Sequence, residues 1–265
     1  GRKFGSENPS GNGKIMKDIK ILKEDNDMLV LDKPAGILVH PTCPPSLRSG
    51  VSRRAEANEK DTLVSWFVEK YPDAANLNWP DKTRPGVVHR LDKDTSGIIL
   101  MAKNPEMLLK LQKLFQSREV QKTYTALVFG KLEREGKIEA AITRGDAGLQ
   151  KVLDTTYSFS KENIRPAVTN YKAIKHYRYQ NNDLTLVEAM PKTGRMHQIR
   201  VHLKHLGFPI IGDPLYNTKH SRTISKELNL TRQFLHSSKL EFVNPITNEK
   251  MKFESPLPGS RTSTH

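Results

Sequence analysis

The apolar residues of this chain fall in short runs bounded by turn formers, and that spacing constrains the fold more than any other feature. Residues 28–32 (MLVLD), 37–40 (ILVH) and 97–102 (GIILMA) have the length and content of strands. Lys33-Pro34-Ala35-Gly36, between the first two, is a turn by composition. Residues 87–88, 123–129, 168–174, 184–189 and 196–201 are further β-like segments, the last running into a short helix or turn around 202–206. Residues 239–243 and 250–254 read as a terminal hairpin about Asn244-Pro245. Helical spacing is confined to two places. Asp61 could cap a helix carrying Leu63, Val64, Phe67 and Val68, stopped by Pro72. Asn104 followed by Pro105 is a helix start, and Met107, Leu108, Leu111, Leu114 and Phe115 then recur on one face as a core stripe. Strands dominate and no βαβ alternation appears. The expected class is therefore α+β, a mixed, largely antiparallel sheet with flanking helices.

Composition narrows the partners. The chain has 265 residues, enough for a sizeable core, and 43 Lys and Arg stand against 29 Asp and Glu, a formal charge of +14. A polyphosphate backbone is the natural partner for such a surplus. An anionic membrane is the rival, but no basic amphipathic helix with a large apolar face and no apolar run near ~18 residues is present. Residues 1–17 are expected to be a disordered leader, 18–258 the folded domain, and 259–265 a tail. Residues 43–60, with four basic and few apolar residues, are expected to be a mobile loop. Cys43 is the single cysteine, so no internal disulfide can form, which fits a reducing compartment, the cytoplasm or an organellar matrix.

The densest chemistry lies in residues 89–97 (HRLDKDTSG). A calcium loop would use Asp92, Asp94 and Ser96, but the position that needs a bidentate Glu holds Lys103. An aspartyl-phosphate mechanism of the haloacid-dehalogenase type would need a second acidic cluster for Mg²⁺. Gly212-Asp213 is the candidate, and Asn217 stands where a further acid is required. His197, His202 and His205 are not spaced to hold zinc on one face of an element. The reading left is a lone carboxylate among His89, Arg90 and Lys93, either a nucleophile or base for a bound anion, or an ion-pair partner.

The segment His89-Arg90-Leu91-Asp92 followed by Thr95-Ser96-Gly97 resembles the signature of the RluA-type pseudouridine synthases. Residues 30–41 (VLDKPAGILVHP) are similar to the N-terminal motif of that family, 122–128 (KTYTALV) to its tyrosine motif, and 193–203 (TGRMHQIRVHL) to its third block, continued by Gly207, Pro209 and Gly212-Asp213. Leu235-His236 begins the last block. These matches stand in the family's order and span roughly residues 18–258. Met196 and Ser237 depart from the family's usual Thr or Ser and Ala, and no S4-like segment is read ahead of the catalytic part.

The resemblance implies the pseudouridine synthase fold and an enzyme that isomerises uridine in structured RNA. Large-subunit rRNA is the expected substrate, with tRNA the alternative, and the working unit is expected to be a monomer without cofactor or metal. A non-catalytic RNA-binding protein on the same fold is the rival class. The resemblance implies that Asp92 is the catalytic carboxylate, Tyr124 the active-site tyrosine and Arg200 the partner of Asp92. It implies RNA contacts at Arg90, Arg195 and His197. For His89, packing is the alternative to RNA contact, and for Lys33 a purely structural role is.

Overall fold

A computed structural model describes residues 16–41, 61–145, 149–153 and 165–259. The expectations for residues 1–15 of the leader, the 43–60 loop with Cys43, and most of the tail fall outside these residues; Met16 and Lys17, expected in the disordered leader, form a 3-10 turn with Asp18.

The centre of the molecule is a sheet of nine strands among the described residues. Three of them form its buried centre: β2 (Met28–Lys33), β3 (Ser96–Ala102) and β10 (Leu235–Val243). Every residue of β3 is buried, as a continuous apolar run covered on both faces requires. β2 runs antiparallel to β3, with Lys33 opposite Gly97, and β10 runs parallel to it, with Ser237 opposite Gly97. β1 (Lys20–Glu24) closes one edge on β2. On the other side β10 pairs in turn with β4 (Gln121–Phe129), β4 with β9 (Asn182–Pro191), β9 with β8 (Val168–Tyr179), and β8 with β5 (Glu135–Glu139), all antiparallel. β11 (Lys250–Glu254) returns on β10 as the expected hairpin. A two-stranded ribbon of β6 (Ile142–Arg144) and β7 (Gln150–Val152) stands apart. The sheet is thus mixed and largely antiparallel, with one parallel contact where β3 meets β10.

Helices cover the sheet. α1 (Leu63–Lys70) is capped by Thr62, whose hydroxyl accepts from the Ser65 amide while Ser65 answers the Thr62 amide. Asp61 is not the cap. A four-residue turn, α2 (Pro72–Ala75), follows it. α3 (Pro105–Gln116) starts as expected, with the Asn104 side chain accepting from the Met107 amide at 2.8 Å and Met107, Leu108 and Leu111 buried. α5 (Lys219–Glu227) has a second Thr-Ser capping box, from Thr218 and Ser221.

The expected strand at 196–201 is a helix instead, α4 (Gln198–His205). Ile199, Val201 and Leu203 alternate with Arg200 and His202, which imitates a strand's period of two. All six residues 198–203 are nevertheless buried, because the helix is wedged into the molecule and its polar side chains find partners there. The Gln198 carboxamide is tied to Val168 O and Thr169 Oγ1, and His202 to Thr169 Oγ1 and Ala140 O. Residues 37–40 and 87–88 are not strands either. Each makes a single bridge, Leu38 to Thr62 and Val87 to Met101.

Candidate active site

Gly97 fixes where the acidic segment leaves the sheet. Its φ is +108°, and a Cβ there would collide with the backbone of Ser237 on β10. The segment preceding it, 89–95, is anchored from beneath by the first motif. Lys33 is fully buried and its ammonium donates to the carbonyls of Pro34, Ile37 and Lys93 at 2.8, 3.0 and 3.1 Å. Burial pushes its pKa down to about 7, while three carbonyl acceptors favour the charged form by engaging each of its N–H groups. The Gly36 amide also binds Lys93 O, and Arg232 Nη1 binds Asp94 O. Lys33 is therefore a structural tie between two motifs. Its ammonium is out of reach of RNA, which corrects that expectation.

Asp92 emerges from this segment with its side chain 26% exposed. Arg200, from α4, donates through Nη1 to Asp92 Oδ2 at 3.1 Å. The same guanidinium forms a bidentate pair with Asp213, Nε to Oδ2 at 2.7 Å and Nη2 to Oδ1 at 2.9 Å, and the Asp213 side chain is 0% exposed. Amides of Leu215 and Tyr216 also donate to Asp213 Oδ1. Burial works against the charge on Arg200, but the pairs with Asp213 and Asp92 outweigh it and hold its pKa above the usual value. Burial likewise opposes ionised Asp213, and its bonds to Arg200 and the two amides pull its pKa below the usual carboxylate value. Arg200 thus carries a permanent charge held by a buried acid, with Nη1 turned to Asp92.

His197, at the start of α4 with φ +56°, places Nε2 3.9 Å from Asp92 Oδ2. Arg200 and His197 both approach Oδ2, and Asp92 Oδ1 has no hydrogen bond among the described residues. Tyr124, on β4, is 9% exposed. Burial, then the charge of Asp92, raise its pKa well above the usual phenol value, so its hydroxyl keeps its proton.

A cleft of about 700 Å³ opens over these groups. Asp92, Tyr124, His197 and Arg200 line it, and Arg84, Arg90, Arg118, Lys122, Lys192 and Arg195 add a basic wall. Arg90 is exposed, and Arg195 reaches the carbonyl of Pro166 at 3.3 Å. His89 packs: its ring stacks on Phe115 at 4.5 Å and its Nε2 accepts from the Leu100 amide at 3.0 Å. Burial lowers its pKa to about 3, so it carries no charge to offer a phosphate. Among the described residues no three acidic, His or Cys side chains gather to hold a metal. His202 uses both ring nitrogens internally.

Sequence reasoning singled out Asp92, Arg200, His197 and Tyr124, and they stand together. It did not assign Asp213 and Tyr216. The Tyr216 ring lies 5.0 Å from the Arg200 guanidinium and its hydroxyl meets His197 Nδ1 at 2.9 Å. The one signal available was Gly212-Asp213, where a glycine with φ +81° precedes a buried acid.

The sequence profile of the RNA pseudouridylate synthase family matches residues 27–205. The chain belongs to the RNA pseudouridylate synthase family. It is thus an isomerase of the class that acts on RNA. Ribosomal large subunit pseudouridine synthase D of Pseudomonas aeruginosa is 36% identical to this synthase over 248 residues, covering 91% of this chain and 69% of that one. An uncharacterized RNA pseudouridine synthase of Chlorobaculum parvum is 39% identical over 254 residues, covering 91% of this chain and 71% of the relative. With the Nitrosomonas europaea synthase D the identity is 35%, and the chain spans 62% of that relative's length. Among solved structures, human RNA Pseudouridylate Synthase Domain Containing 4 superimposes with a TM-score of 0.63 at 25% identity, covering 94% of this synthase and 91% of that chain. Domain Containing 1 gives 0.67 at 24% identity, covering 94% and 86%, a likeness of fold.

Proposed function

We propose that this synthase converts specific uridines of large-subunit rRNA to pseudouridine, with Asp92 acting on the reacting nucleotide. The observation that carries this reading is Asp92 itself: one oxygen is held by Arg200 at 3.1 Å, and the other has no hydrogen bond among the described residues, at the floor of a basic cleft. A carboxylate held that way is oriented while one of its oxygens stays available. The reaction cleaves the N1–C1′ bond, turns the base and joins C5 to C1′; the C5 proton is lost and N1 gains one, so no redox partner is required. Arg200, anchored by Asp213, fixes the direction of the carboxylate. Tyr124 offers a ring for the extruded base and a protonated hydroxyl near the carboxylate. Arg90 and Arg195 on the cleft wall take backbone phosphate beside the flipped nucleotide, whose extrusion costs a few kcal/mol of lost stacking.

The choice of rRNA rests on relatives such as those of P. aeruginosa and N. europaea, whose names specify the ribosomal large subunit. We place its action in the cytoplasm, as for a bacterial enzyme of this kind. The test is tritium release from C5-labelled uridine in large-subunit rRNA and in tRNA, with wild-type protein and Asp92→Asn. Release from rRNA by the wild type alone is expected. Equal release by folded Asp92→Asn overturns the role of Asp92, and release from tRNA alone overturns the substrate.

A further inference from the structure

Tyr216 sits behind the site and touches three of its parts. Its ring packs on Arg200 with 5.0 Å between guanidinium and ring centre, and its amide donates to Asp213 Oδ1 at 2.9 Å. Its hydroxyl accepts from the Gln150 amide of β7 at 2.8 Å and lies 2.9 Å from His197 Nδ1. The protons on this chain can be assigned from those contacts. The Gln150 amide can only donate, so it occupies a lone pair of the phenol oxygen. The phenol proton then has His197 Nδ1 as its acceptor. A neutral His197 that accepts at Nδ1 must carry its hydrogen at Nε2, and Nε2 is the atom 3.9 Å from Asp92 Oδ2.

The other tautomer is costly on two counts. Nδ1–H would donate to a phenol oxygen whose own proton then lacks an acceptor among the described residues. The Nε2 lone pair would face a carboxylate. Burial, opposed by Asp92, keeps the His197 pKa below its usual value, and burial raises that of Tyr216, so the neutral ring and the intact phenol are the relevant forms near neutral pH. The charged groups around His197 are Asp92, Arg200, Asp213 and Arg90.

We propose that Tyr216 is a positioning residue for the isomerisation: it fixes His197 with Nε2–H, not a lone pair, facing Asp92 Oδ2 across 3.9 Å, so that the oxygen bonded by Arg200 also faces a second N–H and the other oxygen is left for the nucleotide. The relay runs from the β7 backbone through Tyr216 to His197 and thence to Asp92. This inference rests on the proposed role of Asp92, and it gives His197 a task different from phosphate contact.

Tyr216→Phe removes the hydroxyl and keeps the ring against Arg200, so the ion pairs and the fold should remain, as thermal melting will check. In the free protein, proton–nitrogen correlation spectra of the His197 ring should show Nε2–H alone in the wild type and a mixture of tautomers in the variant. That readout needs no RNA, so it stands or falls separately from the proposed function, which wild-type turnover tests. In single-turnover assays kcat should fall about tenfold, the equivalent of one hydrogen bond, while KM for RNA stays within about twofold. His197→Gln should lower kcat similarly, and the double variant should be no slower than His197→Gln alone. An unchanged His197 tautomer in a folded Tyr216→Phe protein overturns the proposal. So do multiplicative losses in the double variant, which would mean that Tyr216 acts independently of His197.

Discussion

At the scale of single residues the site is organised around one guanidinium shared by two acids of different exposure. Asp213 is buried and doubly bonded to Arg200, while Asp92 keeps a free oxygen. Asp92→Asn should therefore abolish pseudouridine formation while leaving RNA affinity nearly unchanged, because removing a negative charge cannot weaken attraction to phosphate; filter binding and tritium release on one preparation check both. Asp213→Asn should cost about 3 kcal/mol of stability, since it breaks a buried pair on one side, and a denaturant titration measures it. The pH dependence has the same origin. Because the Asp213 pKa is lower folded than unfolded, the unfolded chain binds a proton first as pH drops. The stabilisation is complete above the unfolded value, about 4, and is lost as pH falls through the lower folded one. Melting temperatures should fall steeply below about pH 4 in the wild type and less steeply in Asp213→Asn.

Elements set the position of those residues. The acidic segment is held between β3, which it enters at Ser96, and the turn after β2, which reaches it through Lys33 and Gly36. Gly97→Ala should disturb this arrangement severely. The residue has a positive φ, and the added methyl meets the Ser237 backbone, so β3 and β10 must separate where Asp92 leaves the sheet. A loss of both melting temperature and turnover is expected, and wild-type melting would show that the parallel contact tolerates a side chain. A milder test lies at α3. Asn104→Ala removes the cap on the Met107 amide and the bond to Asp27, and should cost about 1–2 kcal/mol without changing kcat, because the helix supports the sheet and carries none of the acid–arginine cluster.

For the whole molecule the governing quantity is charge. The surplus of +14 is partly gathered on the cleft wall, where Arg84, Arg90, Arg118, Lys122, Lys192 and Arg195 have few acidic neighbours. Binding through such a wall releases counterions, so log K for RNA should fall linearly with log salt. Replacing Arg90 or Arg195 by Gln should reduce that slope by about one unit or less each. RNA affinity independent of salt would show that the cleft is not where backbone binds.

Much of this was legible in the chain. The run at residues 97–102 is a buried strand as its short apolar pattern suggests, although the similar run at 37–40 is not, and Asn104-Pro105 announces a helix through capping chemistry that is local. The ordered motifs led to Asp92, Tyr124 and Arg200, since each motif is contiguous. Contacts between distant segments were not legible. Residues 196–201 alternate like a strand, and only the partners at Thr169, Val168 and Ala140 show how buried polar groups there are satisfied in a helix. For Lys33 the sequence left RNA contact and a structural role both open, and its burial follows from the carbonyls of Pro34, Ile37 and Lys93 that converge on it. Asp213 and Tyr216 became part of the site only when α4 brought Arg200 and His197 to them. A sequence determines local propensity and the order of its motifs; which donors meet which acceptors across the fold is decided when burial removes water as the competing partner.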